Sequence, residues 1–186
     1  MNTDIAIVGM SCRFPDADSI GAYWENLKEG KQSIKKLSEE ELKLSGISDT
    51  LYNQENYVRA ASYISDIEHF DAGFFKYSPR EAAILDPQQR IMLELSHEAL
   101  ESAGYNSEYN TQNVGVFMGS GYNQYLLKNI LRGRSITDKS EEFFIQTSND
   151  KDYLASRISY KLNLHGPSVN IQTACSTSLV AVHFAR

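Results

Sequence analysis

Ser168-Val169-Asn170-Ile171-Gln172-Thr173-Ala174-Cys175-Ser176-Thr177-Ser178-Leu179-Val180-Ala181-Val182 changes its hydrophobic period part-way along. Val169, Ile171 and Thr173 alternate with polar neighbours, the period of a strand. Small residues follow. From Leu179 the apolar positions become nearly continuous (Leu179, Val180, Ala181, Val182, Phe184), which predicts a helix buried on all sides. Cys175 falls at the changeover from strand to helix. Unpaired backbone N–H groups and the positive end of the helix dipole draw a thiol there toward thiolate, the nucleophilic form. Cys175 is therefore a candidate acyl-accepting nucleophile.

Upstream, Ile5-Ala6-Ile7-Val8 reads as a short buried strand ending at Gly9. No G-x-G-x-x-G follows it, so a dinucleotide fold is disfavoured. Ser19 to Leu27 reads as a short helix closed near Gly30, and Lys31 to Tyr57 as surface loops with short helical pieces. Phe70 to Phe75 is aromatic-rich and expected to pack on the core. Ser78-Pro79-Arg80-Glu81 carries a cap residue, proline at the first helical position and glutamate at the third. Asp86-Pro87-Gln88-Gln89 repeats the pattern with Gln89 at the third position. This second helix is expected to run to about Ala103, with Ile91, Leu95 and Ala99 on one face, Met92 and Leu100 flanking it, and Gly104 as its stop. Val114 to Met118 reads as a buried strand before Gly119-Ser120-Gly121. Residues 122–148 are expected to hold one helix, around Tyr125 to Leu131, and a mobile loop. Asp150 then caps a helix with Leu154, Ile158 and Leu162 at a spacing of four, and His165-Gly166-Pro167 turns the chain into the strand before Cys175. Short strands alternating with helices imply an α/β layered fold.

The 186 residues suit one ordinary domain, and 41% apolar with 23% charged residues is a globular composition. A net charge of −6 argues against a nucleic-acid partner. Cys12 and Cys175 stand far apart with no metal-ligand spacing around them, so neither a structural metal nor a disulfide scaffold is expected. No run approaches the length of a membrane span or a signal sequence, which points to a reducing, cytoplasmic setting.

Several stretches together resemble the β-ketoacyl synthases, the condensing enzymes of fatty-acid and polyketide biosynthesis. Asp4-Ile5-Ala6-Ile7-Val8-Gly9-Met10-Ser11-Cys12-Arg13-Phe14-Pro15 looks like their N-terminus. Phe70-Asp71-Ala72-Gly73-Phe74-Phe75, Ser78-Pro79-Arg80-Glu81 and Asp86-Pro87-Gln88-Gln89-Arg90 are similar to the block typical of modular type I polyketide synthases. Thr173-Ala174-Cys175-Ser176-Thr177-Ser178 is similar to their nucleophile motif. Gln172 stands where many relatives carry Asp, and Gly73, Lys76 and Tyr77 replace commoner small or apolar choices.

The resemblance implies a thiolase-like α/β layered fold of which residues 1–186 form the N-terminal half, a mixed sheet with a buried helix after the nucleophile. The sequence ends at Arg186, and the expectation is a domain truncated after that helix. Cys175 would be the acyl-accepting nucleophile, with its backbone N–H forming part of the oxyanion hole. No cofactor is expected to be bound by the chain itself; acyl groups would arrive on the phosphopantetheine of an acyl carrier protein. A malonyl-type extender would then condense with the acyl-cysteine. The family's two catalytic histidines belong to motifs with no counterpart here. Partners implied are the carrier protein, the remainder of the domain or a megasynthase, and a second copy in a homodimer with residues Val169 to Thr173 at the interface.

The local histidines do not replace the missing pair. At ~1.5 Å per residue His183 lies about 12 Å along the helix from Cys175. His165 suits a turn role, while His69 and His97 read as structural or solvated. Cys12 reads as a core thiol, and Gly119-Ser120-Gly121 as a tight turn because it lacks the lysine and full spacing of a phosphate loop. Lys35-Lys36 and Arg132-Gly133-Arg134 could meet an acidic carrier protein or simply be solvated. The alternative function is a non-catalytic half-domain remnant or interaction protein. With a helix layer left uncovered on one side, the isolated chain is expected to aggregate or to depend on a partner.

Overall fold

The computed structural model describes residues 4–105, 113–133 and 135–186. Arg134, the last member of the second basic cluster, lies outside the described residues. The chain divides into two compact units, Cys12–Asp66 and a second formed by the residues up to Ser11 together with Ile67–Arg186.

Within Cys12–Asp66, helix α1 (Ile20–Lys28) starts where Ser19 accepts a hydrogen bond from Ala22 N, and Gly30 follows it in the left-handed region at φ 64°. The polar stretch after it is more ordered than its patterning suggests. Strand β1 (Lys35–Lys36) pairs antiparallel with β2 (Ala60–Ala61), between which lie α2 (Glu39–Leu44) and α3 (Asp49–Tyr52). Helix α2 opens with a full capping box between Ser38 and Glu41. Arg59 holds the return of the chain by donating to Tyr52 O at 3.0 Å and Asn53 Oδ1 at 2.7 Å. Cys12 is buried, as a core thiol should be.

In the larger unit Ile5–Val8 is not a strand: among the described residues no neighbouring strand pairs with it, and Ile7 is 80% exposed. An apolar run without a ladder partner cannot satisfy its backbone as a sheet does. The chain then closes on helix α5 (Pro87–Ser102). A Cβ on Gly9 would lie 2.5 Å from Ala99 O, and Ser11 Oγ donates to Leu95 O at 2.6 Å. This seat explains a second departure. The Ile91, Leu95 and Ala99 face of α5 is only half-buried, whereas Leu93 is fully buried and Met92 and Leu100 pack on the core. The apolar face had two possible neighbours, and the N-terminal segment takes one of them.

Helix α4 (Pro79–Ile84) has the expected capping box, with Glu81 accepting from Ser78 N at 2.7 Å. That bond, and the Ser78 hydroxyl, hold the Glu81 carboxyl below its ordinary value. The sign follows: this stabilisation is present above the ordinary glutamate range, roughly pH 4, and is lost as pH falls through the lowered native value. Glu81→Gln should remove that acid limb while changing stability at neutral pH by about 0.5 kcal/mol or less, because the pair faces solvent. Thermal unfolding of both proteins from pH 3 to pH 7 checks this; a difference that grows toward low pH would contradict it. Gln89, by contrast, does not close a second capping box. Asp86 caps α5 through Gln88 N at 2.9 Å, while the Gln89 side chain turns inward, donating to Asp150 O and accepting from Arg157 Nε at 2.6 Å. Helix α5 ends as expected: Gly104 takes φ 76°, and Tyr105 N bonds Leu100 O while Gly104 N bonds Glu101 O, a Schellman closure.

Strand β3 (Val116–Met118) leads through a π-helical turn (Leu126–Ile130) to α6 (Lys139–Asn149). The mobile loop expected within residues 122–148 thus contains a helix. Asp138 caps it, Glu141 and Glu142 complement its dipole, and Ile145 buries against Ile84 and Ile130. Helix α7 (Leu154–Lys161) follows, with Leu154 and Ile158 fully buried and Leu162 nearly so, as the spacing of four predicts. Strand β4 (Ser168–Asn170) runs parallel to β3, pairing Val116 with Ser168 and Met118 with Asn170. The turn before it needs Gly166, since a Cβ there would strike Val114 and Gly115 backbone. The core gathers Phe75, Leu85, Leu93 and Val116 around α7.

Candidate functional site

The alternation before Cys175 extends further than the strand it predicts. Beyond β4 one more ladder bond forms, Ile171 N to Met118 O at 2.8 Å, and then the backbones part. Residues Ala174–Ser176 form a single 3-10 turn that runs into helix α8 (Thr177–Ala185). Ala174 adopts φ 52°, a left-handed conformation unfavourable for a residue with a Cβ. Three side chains hold it there. Ser176 Oγ donates to Thr173 O at 2.9 Å and lies 3.0 Å from Thr173 Oγ1. Thr177 Oγ1 donates to Ala174 O at 2.9 Å and accepts from Thr173 N at 3.0 Å. Strain of this kind persists only where surrounding bonds over-determine it, and it gathers at functional sites. Its effect is to thrust Cys175 out of a sharp bend. The thiol is free and exposed, in the turn ahead of the helix rather than inside its first turn.

Cys175 lines a cavity of about 1200 Å³ whose walls include Met118, Leu126, Ser178 and Val182, with the polar Gln146 and Asn149 among them. One wall is the Gly119–Gly121 loop, and Gly119 is obligatory there: a Cβ would come within 2.5 Å of Thr177 Cγ2 and closer still to Ile171 O. The loop is a close-packed turn rather than a phosphate cradle. Gly121 N donates to Gln88 Oε1 at 2.8 Å, and Gln88 in turn donates to Asp86 Oδ2 at 3.2 Å. Burial pushes the Asp86 carboxyl above its ordinary value, opposed by its bonds from Gln88 and the nearby Arg90 charge. On the cavity wall, Asn123 donates to Asn149 Oδ1 at 3.1 Å while Asn149 donates to Ile84 O and Ile145 O. Arg157 ties Gln89, Tyr77 Oη and Thr147 O together. These amide and guanidinium partners were not legible in the sequence, where Gln89 reads as the third-position residue of a capping box and Gln88 carries no evident role. The usable signal was polar residues inside otherwise apolar helical faces.

No histidine lines the cavity among the described residues. His97 lies 3.5 Å from Glu101 and packs on Phe74, His183 packs on Phe184, and His69 and His165 are exposed. The described residues hold no group of three or more His, Cys, Asp or Glu able to bind a metal. In α8 Ala181 is buried, while Leu179 is 76% exposed and Val182 and Phe184 also face solvent, the uncovered side expected of half a layered fold. Within the described chain it packs chiefly on β3.

An α/β unit that presents an exposed thiol from a strained strand–turn–helix bend on the wall of an apolar cavity defines a thiol-presenting domain. Residues 2–186 match the family described as "Beta-ketoacyl synthase, N-terminal domain", and the chain belongs to that family. It is 46% identical over 187 residues to a subunit of the phenolphthiocerol/phthiocerol polyketide synthase of Mycobacterium tuberculosis (strain CDC 1551 / Oshkosh), covering 97% of this chain and 13% of that protein. Polyketide synthase PksN of Bacillus subtilis (strain 168) is 38% identical over 184 residues, 97% of this chain and 3% of its own length. Among solved structures, ketosynthase twelve of the bacillaene polyketide synthase of Bacillus amyloliquefaciens superposes with a TM-score of 0.83 at 35% identity, covering 96% of this chain and 31% of that one. The chain thus has the fold of the N-terminal part of a polyketide-synthase ketosynthase, as its motifs predicted, and spans a small fraction of the curated relatives it matches. Among the described residues no helix is long and apolar enough to cross a membrane.

Proposed function

We propose that this chain supplies the acyl-accepting part of a ketosynthase within a polyketide megasynthase, with Cys175 as nucleophile. The observation that carries the reading is the exposed Cys175 thiol, held out by the Ala174 bend, on the wall of the 1200 Å³ cavity. In the first step the Cys175 sulfur attacks the carbonyl carbon of an acyl thioester borne on a carrier protein's phosphopantetheine. The carrier C–S bond breaks, and the proton lost by Cys175 leaves with the carrier thiol. In the second step a malonyl-type thioester loses carbon dioxide. Its electron pair forms a C–C bond to the acyl carbonyl, and Cys175 departs as the leaving group. The Cys175 backbone N–H would serve in the oxyanion hole. The two histidines for the condensation would come from the remainder of a longer domain. The chain would work as a homodimer through Val169 to Thr173, in the cytoplasm, without a resident cofactor.

The test uses the full-length protein. Incubation with the hexanoyl thioester of N-acetylcysteamine, followed by peptide mass spectrometry, should place one hexanoyl group on Cys175. A protein that stays unmodified under conditions where iodoacetamide alkylates Cys175 would overturn the reading and favour a non-catalytic interaction role.

A further inference from the structure

The last backbone bond between β3 and β4 is Ile171 N to Met118 O. Two residues beyond the end of β3, a side chain continues the pairing. With its amide in the orientation its surroundings satisfy, Gln172 donates to Ser120 O at 3.1 Å and accepts from Ser120 N at 3.3 Å. A primary amide can do both to one residue, as a peptide group would. The Gly119–Gly121 wall is held on its other side by Gln88, which accepts from Gly121 N. Two amides from different elements therefore fix the wall that faces Cys175.

We propose that Gln172 is a positioning residue: its amide clasps Ser120, sets the separation between the Gly119–Gly121 wall and the Cys175 turn, and so governs how readily an acyl thioester reaches the thiol. The proposal rests on the acyl-accepting role of Cys175. An ionised carboxylate at this position would still accept from Ser120 N, but would oppose Ser120 O with a second acceptor. Protonated, it would again offer a donor. Gln172 is exposed, so water competes for its bonds and the expected effect is modest.

Glu is the isosteric probe. In the full-length protein, rates of Cys175 hexanoylation and of Cys175 alkylation by iodoacetamide are measured from pH 4 to pH 8 for wild type and Gln172→Glu. Each variant is expressed as a ratio to wild type, and the uncharged Gln172→Leu separates loss of the clasp from the added negative charge near the thiol. The other ionisable groups on the same cavity, Tyr122, Asp150 and Lys151, are common to both proteins. The ratio should lie near one at low pH and fall about fivefold as the glutamate ionises, while Gln172→Leu stays low throughout. Hydrogen exchange at Ser120 N–H should accelerate in step. A ratio that is flat with pH, or Ser120 protection indifferent to both substitutions, overturns the clasp. If wild type is alkylated but never acylated, the acyl-accepting reading fails while the alkylation ratio and Ser120 exchange still decide the clasp.

Discussion

Cys175→Ala in the full-length protein is expected to abolish acyl loading and to lower condensation by roughly 10³-fold or more, the scale for removing a covalent nucleophile. Folding should survive, because the thiol is exposed and its turn is tied by Ser176, Thr173 and Thr177 rather than by sulfur contacts. Stability should therefore stay within about 0.5 kcal/mol of wild type. The measurement is hexanoyl incorporation by intact-protein mass spectrometry beside a thermal melt. Incorporation that persists in the alanine variant would place the acyl group on another residue. A collapse of the melt would mean that the cysteine is structural.

Gly119→Ala should have the largest effect on stability. The methyl group has nowhere to go: Ile171 O, Thr177 Cγ2 and the β3–β4 ladder all occupy its space. Relief requires the strands to part just where the Cys175 turn is anchored, at a cost of about 3 kcal/mol. For a chain of this size that is roughly a 6–12 °C fall in Tm. Acylation of Cys175 should fall with it. Gly21→Ala is the control of opposite sign. It lies inside α1 with its nearest neighbour, Ser19 Oγ, 4.0 Å away, so a methyl group there should stabilise by about 0.5–1 kcal/mol. Comparable melts for the two alanine variants would mean that the β3–β4 approach is looser than the structure shows.

Local signals were legible wherever one residue decides a local conformation. Ser78 and Glu81 cap α4, Gly104 closes α5, and the Leu154, Ile158 and Leu162 stripe is buried as written. The family and its fold were legible from the Asp86–Arg90 and Thr173–Ser178 blocks. What failed depended on partners distant in sequence. Ile5–Val8 has the composition of a strand but no ladder among the described residues. Lys139–Asn149 was hidden because its mixed polar face carries weak periodicity, and its burial depends on Ile84 and Ile130. At the site, Cys175 stood out by its motif. The Ala174 bend and the Gln88 and Gln172 amides did not, since an amide's partner is chosen by tertiary structure.

The order of synthesis meets an asymmetry in how the two units use the chain. Cys12–Asp66 is continuous, so every contact inside it is available once Asp66 has left the ribosome. The other unit encloses it in sequence: Ser11 must wait for Leu95, 84 positions later, before its hydroxyl finds an acceptor. During that interval the apolar Ile5–Val8 segment has no seat, although every residue of Cys12–Asp66 is already present. Ile5–Val8 is thus made well before the residues that seat the segment behind it, and the nascent chain is exposed to misassociation there.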